Sequence, residues 1–255
     1  MILNLYNMIE LRRSIRDFQN RQVEETIWEG FRKYQRELFA LYPEIPYKIE
    51  VTCVLGGKKA GTLFSVKAPY YISLLTAESR ESYLNAGYIM EELSLYLAAR
   101  GIGTCYQGML KVKKEQENLS EVLVMAAGYP KKYLYRSQEN RNRLPLSKVC
   151  VFKEEPSKEI MAILKAAAMA PSSFNSQPWR FVVYKNRIHI FMQKVNNGIF
   201  KRNKLHLLDI GMALNHIMIT AEELWVEAEL KEMDNLSSHS IRNYEYITSF
   251  ILKTE

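Results

Sequence analysis

The chain repeats its own order of helices and strands, and this repeat limits the folds it can adopt. Three pairs of stretches align at nearly constant offsets: 46–51 with 178–183 at 132 residues, 86–93 with 210–217 at 124, and the strands from Val122 and Ile247 at 125. Each half then reads helix, strand, strand, helix, strand, which predicts a duplicated α/β unit. Chance recurrence of common elements would give a similar pattern, and the sequence leaves that alternative open.

The composition is that of a globular protein. Of the 255 residues, 47% are hydrophobic and 25% charged, which is enough for one large core or two smaller ones. No uninterrupted apolar run approaches the ~20 residues of a membrane span, and residues 1–6 lack a basic start and a cleavage site, so we expect a cytoplasmic protein. Three cysteines without a CxxC pair and four scattered histidines argue against a disulfide framework and a metal site.

The net charge of +7 is compatible with nucleic acid, an anionic cofactor, or solubility alone. One basic run, residues 111–114, is followed at once by Glu115 and Glu117, which is typical of a solvated helix start. No nucleic-acid module is recognisable. We therefore expect no nucleic-acid partner and no membrane partner.

Hydrophobic periodicity predicts most of the elements. Apolar residues recur every three or four positions over 23–41, which predicts an amphipathic helix, and helices are also expected over 82–100 and 160–170. The predicted strands cover 47–54, 68–75, 122–128 and 180–184. We place the boundary between the halves after residue 150, giving domains 1–150 and 151–255.

A basic stretch near the N-terminus has the residues of a phosphate clamp. Arg12, Arg13, Ser14 and Arg16 fall within five positions, and in an extended segment Arg12, Ser14 and Arg16 share one face. Guanidinium groups bind phosphate oxygens bidentately. An ordinary basic surface segment is the alternative.

Two further stretches have the composition of a ligand-binding loop. The helix that ends near Arg100 is followed by Gly101-Ile102-Gly103-Thr104-Cys105-Tyr106-Gln107-Gly108, whose glycines permit close approach of the backbone to a flat ligand. The other stretch is Pro171-Ser172-Ser173-Phe174-Asn175-Ser176-Gln177-Pro178-Trp179, rich in short hydroxyls and amides. Alone, each also reads as an ordinary turn.

Together these motifs resemble the FMN-dependent nitroreductase family. The form Pro-Ser-Ser-x-Asn-x-Gln-Pro-Trp matches its flavin-contacting segment, Arg-Arg-Ser-x-Arg-x-Phe its opening motif, and Gly-x-Gly-Thr-Cys the segment beside the flavin ring. A second basic pair, Arg141 and Arg143, resembles the pair that meets the FMN phosphate, although a charged loop is again the alternative.

The resemblance implies an α+β fold of two similar halves, each with an antiparallel or mixed sheet flanked by helices, fused as a pseudo-dimer. Nitroreductases are usually symmetric dimers that take the Pro-Ser-Ser-x-Asn contacts from the partner subunit. Here each motif occurs once in a single chain, so the resemblance implies one FMN site built from both halves and a monomeric protein. It is similar to the single-chain nitroreductase-like subfamily.

By the same resemblance, the cofactor-binding residues fall into three groups. Arg12, Arg16, Arg141 and Arg143 would bind the phosphate and ribityl end, with a hydroxyl contact from Ser14, and Arg13 belongs to the same cofactor-binding motif. Gly103, Tyr106, Gln107 and Gly108 would pass near the ring, mainly through backbone groups. Pro171, Ser172, Ser173 and Asn175 would contact the ring or ribityl chain.

The implied activity is hydride transfer from NADH or NADPH through FMN to a small acceptor such as a nitroaromatic or a quinone, in two half-reactions. No acid or base candidate is evident in the sequence. Two other functions stay open: a same-fold flavoenzyme with other chemistry, such as dehalogenation or flavin cleavage, and a flavin-binding protein without turnover.

Overall fold

The computed structural model describes residues 4–55, 66–108, 119–137, 142–195, 200–233, 236 and 243–253, without the side chains of 200–202. The chain divides into two compact units, Met1–Asn140 and Arg141–Glu255. We refer to them as unit 1 and unit 2.

Unit 1 contains a four-stranded antiparallel sheet with the order β1-β2-β4-β3. Its elements are α1 (Leu5–Leu11), α2 (Glu25–Glu37), β1 (Tyr47–Cys53), β2 (Tyr70–Thr76), α3 (Arg80–Ala98), β3 (Gly103–Gln107) and β4 (Ser120–Gly128). Helix α3 is buried on almost every face, because most of its residues from Ser82 onward are apolar or small.

Unit 2 contains a five-stranded sheet with the order β5-β6-β7-β9-β8, antiparallel except for the parallel pair β5 and β6. Its elements are α4 (Leu146–Val149), β5 (Cys150–Phe152), α5 (Lys158–Ala168), a 3-10 turn (Ser173–Asn175), β6 (Trp179–Val183), β7 (Arg187–Gln193), α6 (Phe200–Glu223), β8 (Ala228–Lys231) and β9 (Tyr244–Leu252). Helix α5 packs on α6.

The two units have the same topology once α1, α4 and β5 are set aside. Strands β1-β2-β4-β3 of unit 1 correspond to β6-β7-β9-β8 of unit 2, with the same antiparallel pairings. The β2–β4 pairing shifts register between Leu74 and Leu75, and the β7–β9 pairing shifts between Ile190 and Phe191. Such an irregularity at the same place in both sheets is a strong sign of duplication. The fold class predicted from the sequence is confirmed.

The ends of α3 and α6 repeat the same cap. Ile102 N donates to Leu97 O, and 124 residues later Val226 N donates to Ala221 O. This hydrogen bond, from an N–H to the carbonyl five residues earlier, is that of a Schellman cap. In such a cap the residue just before the donor has a positive φ. Gly101 occupies that position in unit 1 at φ 84°, whereas Trp225 occupies it in unit 2 at φ 54° and is 95% exposed.

Candidate functional site

The basic segment of unit 1, residues 12–18, lies along the open side of β3. Ile15 N donates to Thr104 O at 2.8 Å, and Ser14 forms a parallel bridge with Thr104. Ile15 and Phe18 belong to a buried cluster with Tyr71 and Cys105. The segment is therefore held both by its backbone and by its apolar side chains.

Gly103 is what lets the basic segment approach β3. A Cβ at this position would stand 2.5 Å from Ile15 Cγ1, well inside van der Waals contact. The described structure thus gives Gly103 a packing role against Ile15. The sequence suggested that Gly103 lets the backbone approach a flat ligand, and that role stays a prediction.

Arg12 is buried and forms an ion pair inside unit 1. Its side chain is 5% exposed, and its Nε lies 3.1 Å from Oε1 of Glu91, which is fully buried in α3. Tyr106 Oη donates to the other oxygen, Oε2, at 2.7 Å. Burial, followed by the charge of Glu91, raises the pKa of Tyr106 well above its usual value, so the phenol remains a donor.

One nitrogen of Arg12 is left over from this network. Nη1 is buried and makes no hydrogen bond among the residues that the structure describes. A buried guanidinium N–H without an acceptor is costly, so this nitrogen offsets part of the stabilisation that the ion pair with Glu91 provides.

Cys105 shows that the predicted residues of unit 1 lie close together. Burial raises the pKa of its thiol, while the charges of Arg16 and Arg12 and hydrogen bonding with Ser14 and Gln107 act in the opposite direction. The four residues therefore lie within electrostatic or hydrogen-bonding range of one thiol. The raised pKa keeps the thiol protonated at neutral pH and makes Cys105 a poor nucleophile.

The far end of β3 is more open. Gln107 uses its side chain internally: Nε2 donates to Cys105 O at 2.9 Å, and Oε1 accepts from Val66 N at 2.9 Å. Gly108 is exposed, and a Cβ there would meet nothing within 4 Å. Arg13 and Arg16 are also exposed. The side chains of Tyr106 and Gln107 are engaged, so a ligand would meet mainly backbone here.

In unit 2 the serine segment, residues 171–177, has a strained backbone. Phe174, Asn175 and Gln177 have φ values of 55°, 56° and 48°. Such values are uncommon outside glycine and are a genuine outlier for a bulky residue such as phenylalanine. Phe174 is also 85% exposed, so its side chain gains little from burial. Strain of this kind clusters at functional sites and persists only where the surroundings enforce it.

Arg143 and Asn175, both predicted as site residues, are in direct contact. Arg143 Nη1 donates to Asn175 Oδ1 at 3.0 Å, and Nη2 donates to Met169 O at 3.0 Å. Asn175 Nδ2 in turn donates to Asn142 O at 3.1 Å. Arg143 therefore acts as a support of the serine segment. Arg141, its predicted companion, lies outside the described residues.

Asp209 of α6 holds the segment from the other side. Its Oδ1 accepts from Ser173 N at 2.9 Å and from Ser173 Oγ at 3.0 Å, and Oδ2 accepts from Ser176 Oγ at 3.5 Å. The carboxyl group is 1% exposed. Burial raises its pKa to about 7, while the hydrogen bonds from Ser173 and Ser176 act to lower it.

Gln177 adds a third support. Its Oε1 accepts from Leu144 N at 2.8 Å, and its backbone N donates to Ser172 Oγ at 3.0 Å. Sequence reasoning quoted Gln177 in the motif without assigning it a role, and it missed Asp209. The signal for Asp209 was a single carboxylate among the apolar residues 207–214. Pro171, at the start of the segment, is buried.

A protein-family model described as "Putative TM nitroreductase" matches residues 4–221. The chain belongs to this nitroreductase family. A solved structure from Thermotoga maritima, a "putative nitroreductase", is 21% identical, with a TM-score of 0.66 over 99% of this chain and 94% of that one. That match spans both units, so the duplicated nitroreductase fold extends over the whole chain.

Other solved nitroreductases resemble only part of the chain. A nitroreductase family protein from Clostridium difficile 630 is 16% identical, with a TM-score of 0.48 over 61% of this chain and 100% of that one. A nitroreductase with bound FMN from Desulfitobacterium hafniense DCB-2 is 11% identical, with a TM-score of 0.42 over 57% of this chain and 100% of that one. Among curated proteins, none matches.

The described residues contain no group of three or more His, Cys, Asp or Glu side chains that could hold a metal ion. Nor does any helix within them have the length and apolarity needed to cross a membrane.

Proposed function

We propose that this nitroreductase is an FMN-dependent enzyme that takes hydride from NADH or NADPH and reduces a small acceptor, such as a nitroaromatic or a quinone. Family membership supports a flavin oxidoreductase. The observation that carries the proposal further is the basic segment, in which Arg12 is fixed by Glu91 while Arg13 and Arg16 are exposed.

The residues of unit 1 fit a phosphate-bearing ligand. Arg16 and Arg13 are exposed, so their guanidinium groups would give a phosphate charge-assisted hydrogen bonds, which are stronger than neutral ones. Ser14 offers a hydroxyl in the same segment. In this proposal Glu91 fixes the Arg12 guanidinium in place before the ligand arrives.

The residues of unit 2 fit a rigid contact surface. Ser173 and Asn175 are already held by Asp209 and Arg143, so their role is to fix the shape of the serine segment as well as to touch the flavin. Ser172 and the backbone of the segment would supply further contacts. A surface whose strain is already offset in the free protein binds without an additional ordering cost.

When bound, FMN supplies both the acceptance and the donation of hydride. The chain's residues bind and orient it, and no described residue is assigned as a general acid. Tyr106 stays protonated and its hydroxyl is engaged in a hydrogen bond to Glu91, so a proton for the acceptor would come from solvent. If donor and acceptor bind at the same place in turn, double-reciprocal plots of rate against acceptor concentration will be parallel at different donor concentrations.

The purified protein provides the test. We expect a flavin absorption spectrum, release of FMN on denaturation, and oxidation of NADH or NADPH that depends on a nitroaromatic or quinone acceptor. Failure of the apoprotein to bind FMN under any reconstitution would overturn the proposal. FMN binding without turnover with either nicotinamide would instead assign storage or sensing, and a flavin consumed during the reaction would indicate flavin cleavage.

We further propose one FMN per chain and a monomeric protein. Each flavin motif occurs only once in the sequence, so a second equivalent has no residues to bind it. Quantified flavin against protein concentration tests the first statement. Light scattering at assay concentrations and specific activity over a dilution series test the second, which fails if activity collapses on dilution.

A further inference from the structure

Asp209 has a counterpart in unit 1, and the comparison isolates what Asp209 does. At the offset of 124 residues its equivalent in α3 is Asn85, which is also buried, at 2% exposure. Asn85 Oδ1 accepts from Tyr42 N at 3.4 Å, and Nδ2 donates to Tyr42 O at 3.3 Å. Tyr42 is itself the equivalent of Phe174 at the offset of 132. In each unit, one helix residue therefore ties down the loop before the first repeated strand.

The two ties differ in chemistry. Asn85 exchanges one donor and one acceptor with the backbone of a single residue. Asp209 can only accept when ionised, and it collects three donors from Ser173 and Ser176. The loop that it holds has three residues with positive φ, whereas residues 38–46 of unit 1 have none. The unit whose helix residue is an aspartate is therefore also the unit whose loop is strained.

From this pairing we infer that Asp209 is a positioning residue, which holds the serine segment in the strained conformation that meets the flavin. The flavin part of this inference rests on the proposed function. The positioning part does not, because all three hydrogen bonds are present in the protein alone.

Three other titratable groups of unit 2 have hydrogen-bond partners other than Asp209. Arg143 reaches the segment through Asn175 and Met169. On α6, His206 Nδ1 bonds with Gln193 O at 3.0 Å, and His216 Nδ1 bonds with Ala166 O at 2.9 Å. Among the described residues, Asp209 has no ion-pair partner, so its serine donors are the contacts that a substitution would remove.

Hydrogen exchange of the flavin-free protein is the first test. We expect Asp209→Ala to speed the exchange of amides 173–177 by about tenfold or more, because Ser173 and Ser176 lose their shared acceptor. Asp209→Asn keeps an oxygen for Ser173 and should restore most of the protection. Asn85→Ala is the matched control, which should speed the amide exchange of residues 41 and 42 and leave the exchange of 173–177 unchanged.

FMN affinity is the second test, measured by calorimetric titration of the same variants. We expect Asp209→Ala to weaken binding by about tenfold, Asp209→Asn to recover most of it, and Asn85→Ala to leave it within about twofold. Unchanged exchange in Asp209→Ala would overturn the positioning role. Should that variant not fold, Ser173→Ala with Ser176→Ala removes the side-chain donors and keeps the bond from Ser173 N. We expect a smaller rise in exchange there, and no rise would show that the side-chain bonds to Asp209 do not hold the segment.

The two tests separate this inference from the proposed function. If no variant or parent binds FMN, the proposed function fails while the exchange result still decides whether Asp209 holds the segment. If exchange responds as expected but affinity does not, the segment is held by Asp209 and is not the surface that meets the flavin.

Discussion

Arg12 Nε and Glu91 Oε1 lie 3.1 Å apart in an ion pair that is buried on both sides. The contact gives Arg12 a structural role that is separate from ligand binding. An Arg12 substitution would leave a buried carboxylate without its cation, so loss of FMN binding in that variant would be ambiguous.

Removing the acid of this pair should destabilise unit 1. We expect Glu91→Ala to lower the free energy of unfolding by about 3–5 kcal/mol, because it leaves the buried Arg12 charge uncompensated and Tyr106 without its acceptor. Urea denaturation followed by circular dichroism measures this. Glu29→Ala, at an exposed position of α2, should cost less than about 0.5 kcal/mol. Equal losses in the two variants would contradict the ion pair.

Arg16 gives the cleaner test of the phosphate clamp because it is exposed. Arg16→Ala should weaken FMN binding by about 1.5–3 kcal/mol, the usual contribution of a hydrogen bond to a charged group, and leave riboflavin binding nearly unchanged. Titration of the apoprotein with both ligands provides the comparison. Arg36→Ala, an exposed arginine of α2, is the control. If FMN affinity in Arg16→Ala equals that of the control, Arg16 does not bind the phosphate.

The caps of α3 and α6 should respond in opposite directions to substitution. Trp225→Gly relieves a positive φ at a residue that is almost fully exposed, so we expect stabilisation by about 0.5–1 kcal/mol. Gly101→Ala places a Cβ at φ 84° and should destabilise by about 1 kcal/mol or more. Denaturation midpoints at constant m-value measure both. Destabilisation by Trp225→Gly would mean that the indole makes a stabilising contact.

Asp209 should make stability depend on pH. Its pKa in the folded protein is raised from 3.8 to about 7, so between these values the folded state binds more protons than the unfolded state. Stability is therefore lost as pH rises through this window, and the loss is complete above about pH 7. The Asp209→Asn variant has no carboxyl group to titrate at this position.

The measurement is the difference in unfolding free energy between parent and Asp209→Asn, from about pH 4.5 to about pH 8. We expect the parent to lose stability relative to the variant as pH rises. Burial, with the charge of Arg187, also lowers the pKa of His189, but that titration is common to both proteins and cancels. A difference that is constant with pH would show that the Asp209 carboxyl keeps an ordinary pKa.

Periodicity predicted the elements whose burial pattern is regular. Helices α2, α3 and α5 and strands β1, β2, β4 and β6 lie within a few residues of the predicted ranges. No sequence pattern marked α1, which ends just before Arg12, or β5, whose three residues form a strand only because β6 lies beside them. Strand β3 was not predicted because its first residue, Gly103, is typical of a turn. In the structure Gly103 instead leaves room for the side chain of Ile15.

The candidate site was predictable where its residues are close in sequence. The motifs located Arg12 to Arg16 and the serine segment, and the contact of Arg143 with Asn175 joins two residues that were predicted separately. Glu91 and Asp209 were not predicted, because an acid on an apolar helix gives no sign of the loop that it will meet. Asp209 and Ser173 are 36 residues apart, and only the folded chain brings them to 2.9 Å.

The cap that exposes Trp225 to water also sets it apart optically from the other two tryptophans of the protein. Trp28 and Trp179 are buried, at 5% and 0% exposure, whereas Trp225 is at 95%. An aqueous quencher will therefore reach the emission of Trp225 before that of the other two. With Trp225 replaced, the remaining fluorescence comes from one interior tryptophan in each unit: Trp28 reports on α2, and Trp179 reports on the strand that directly follows the serine segment.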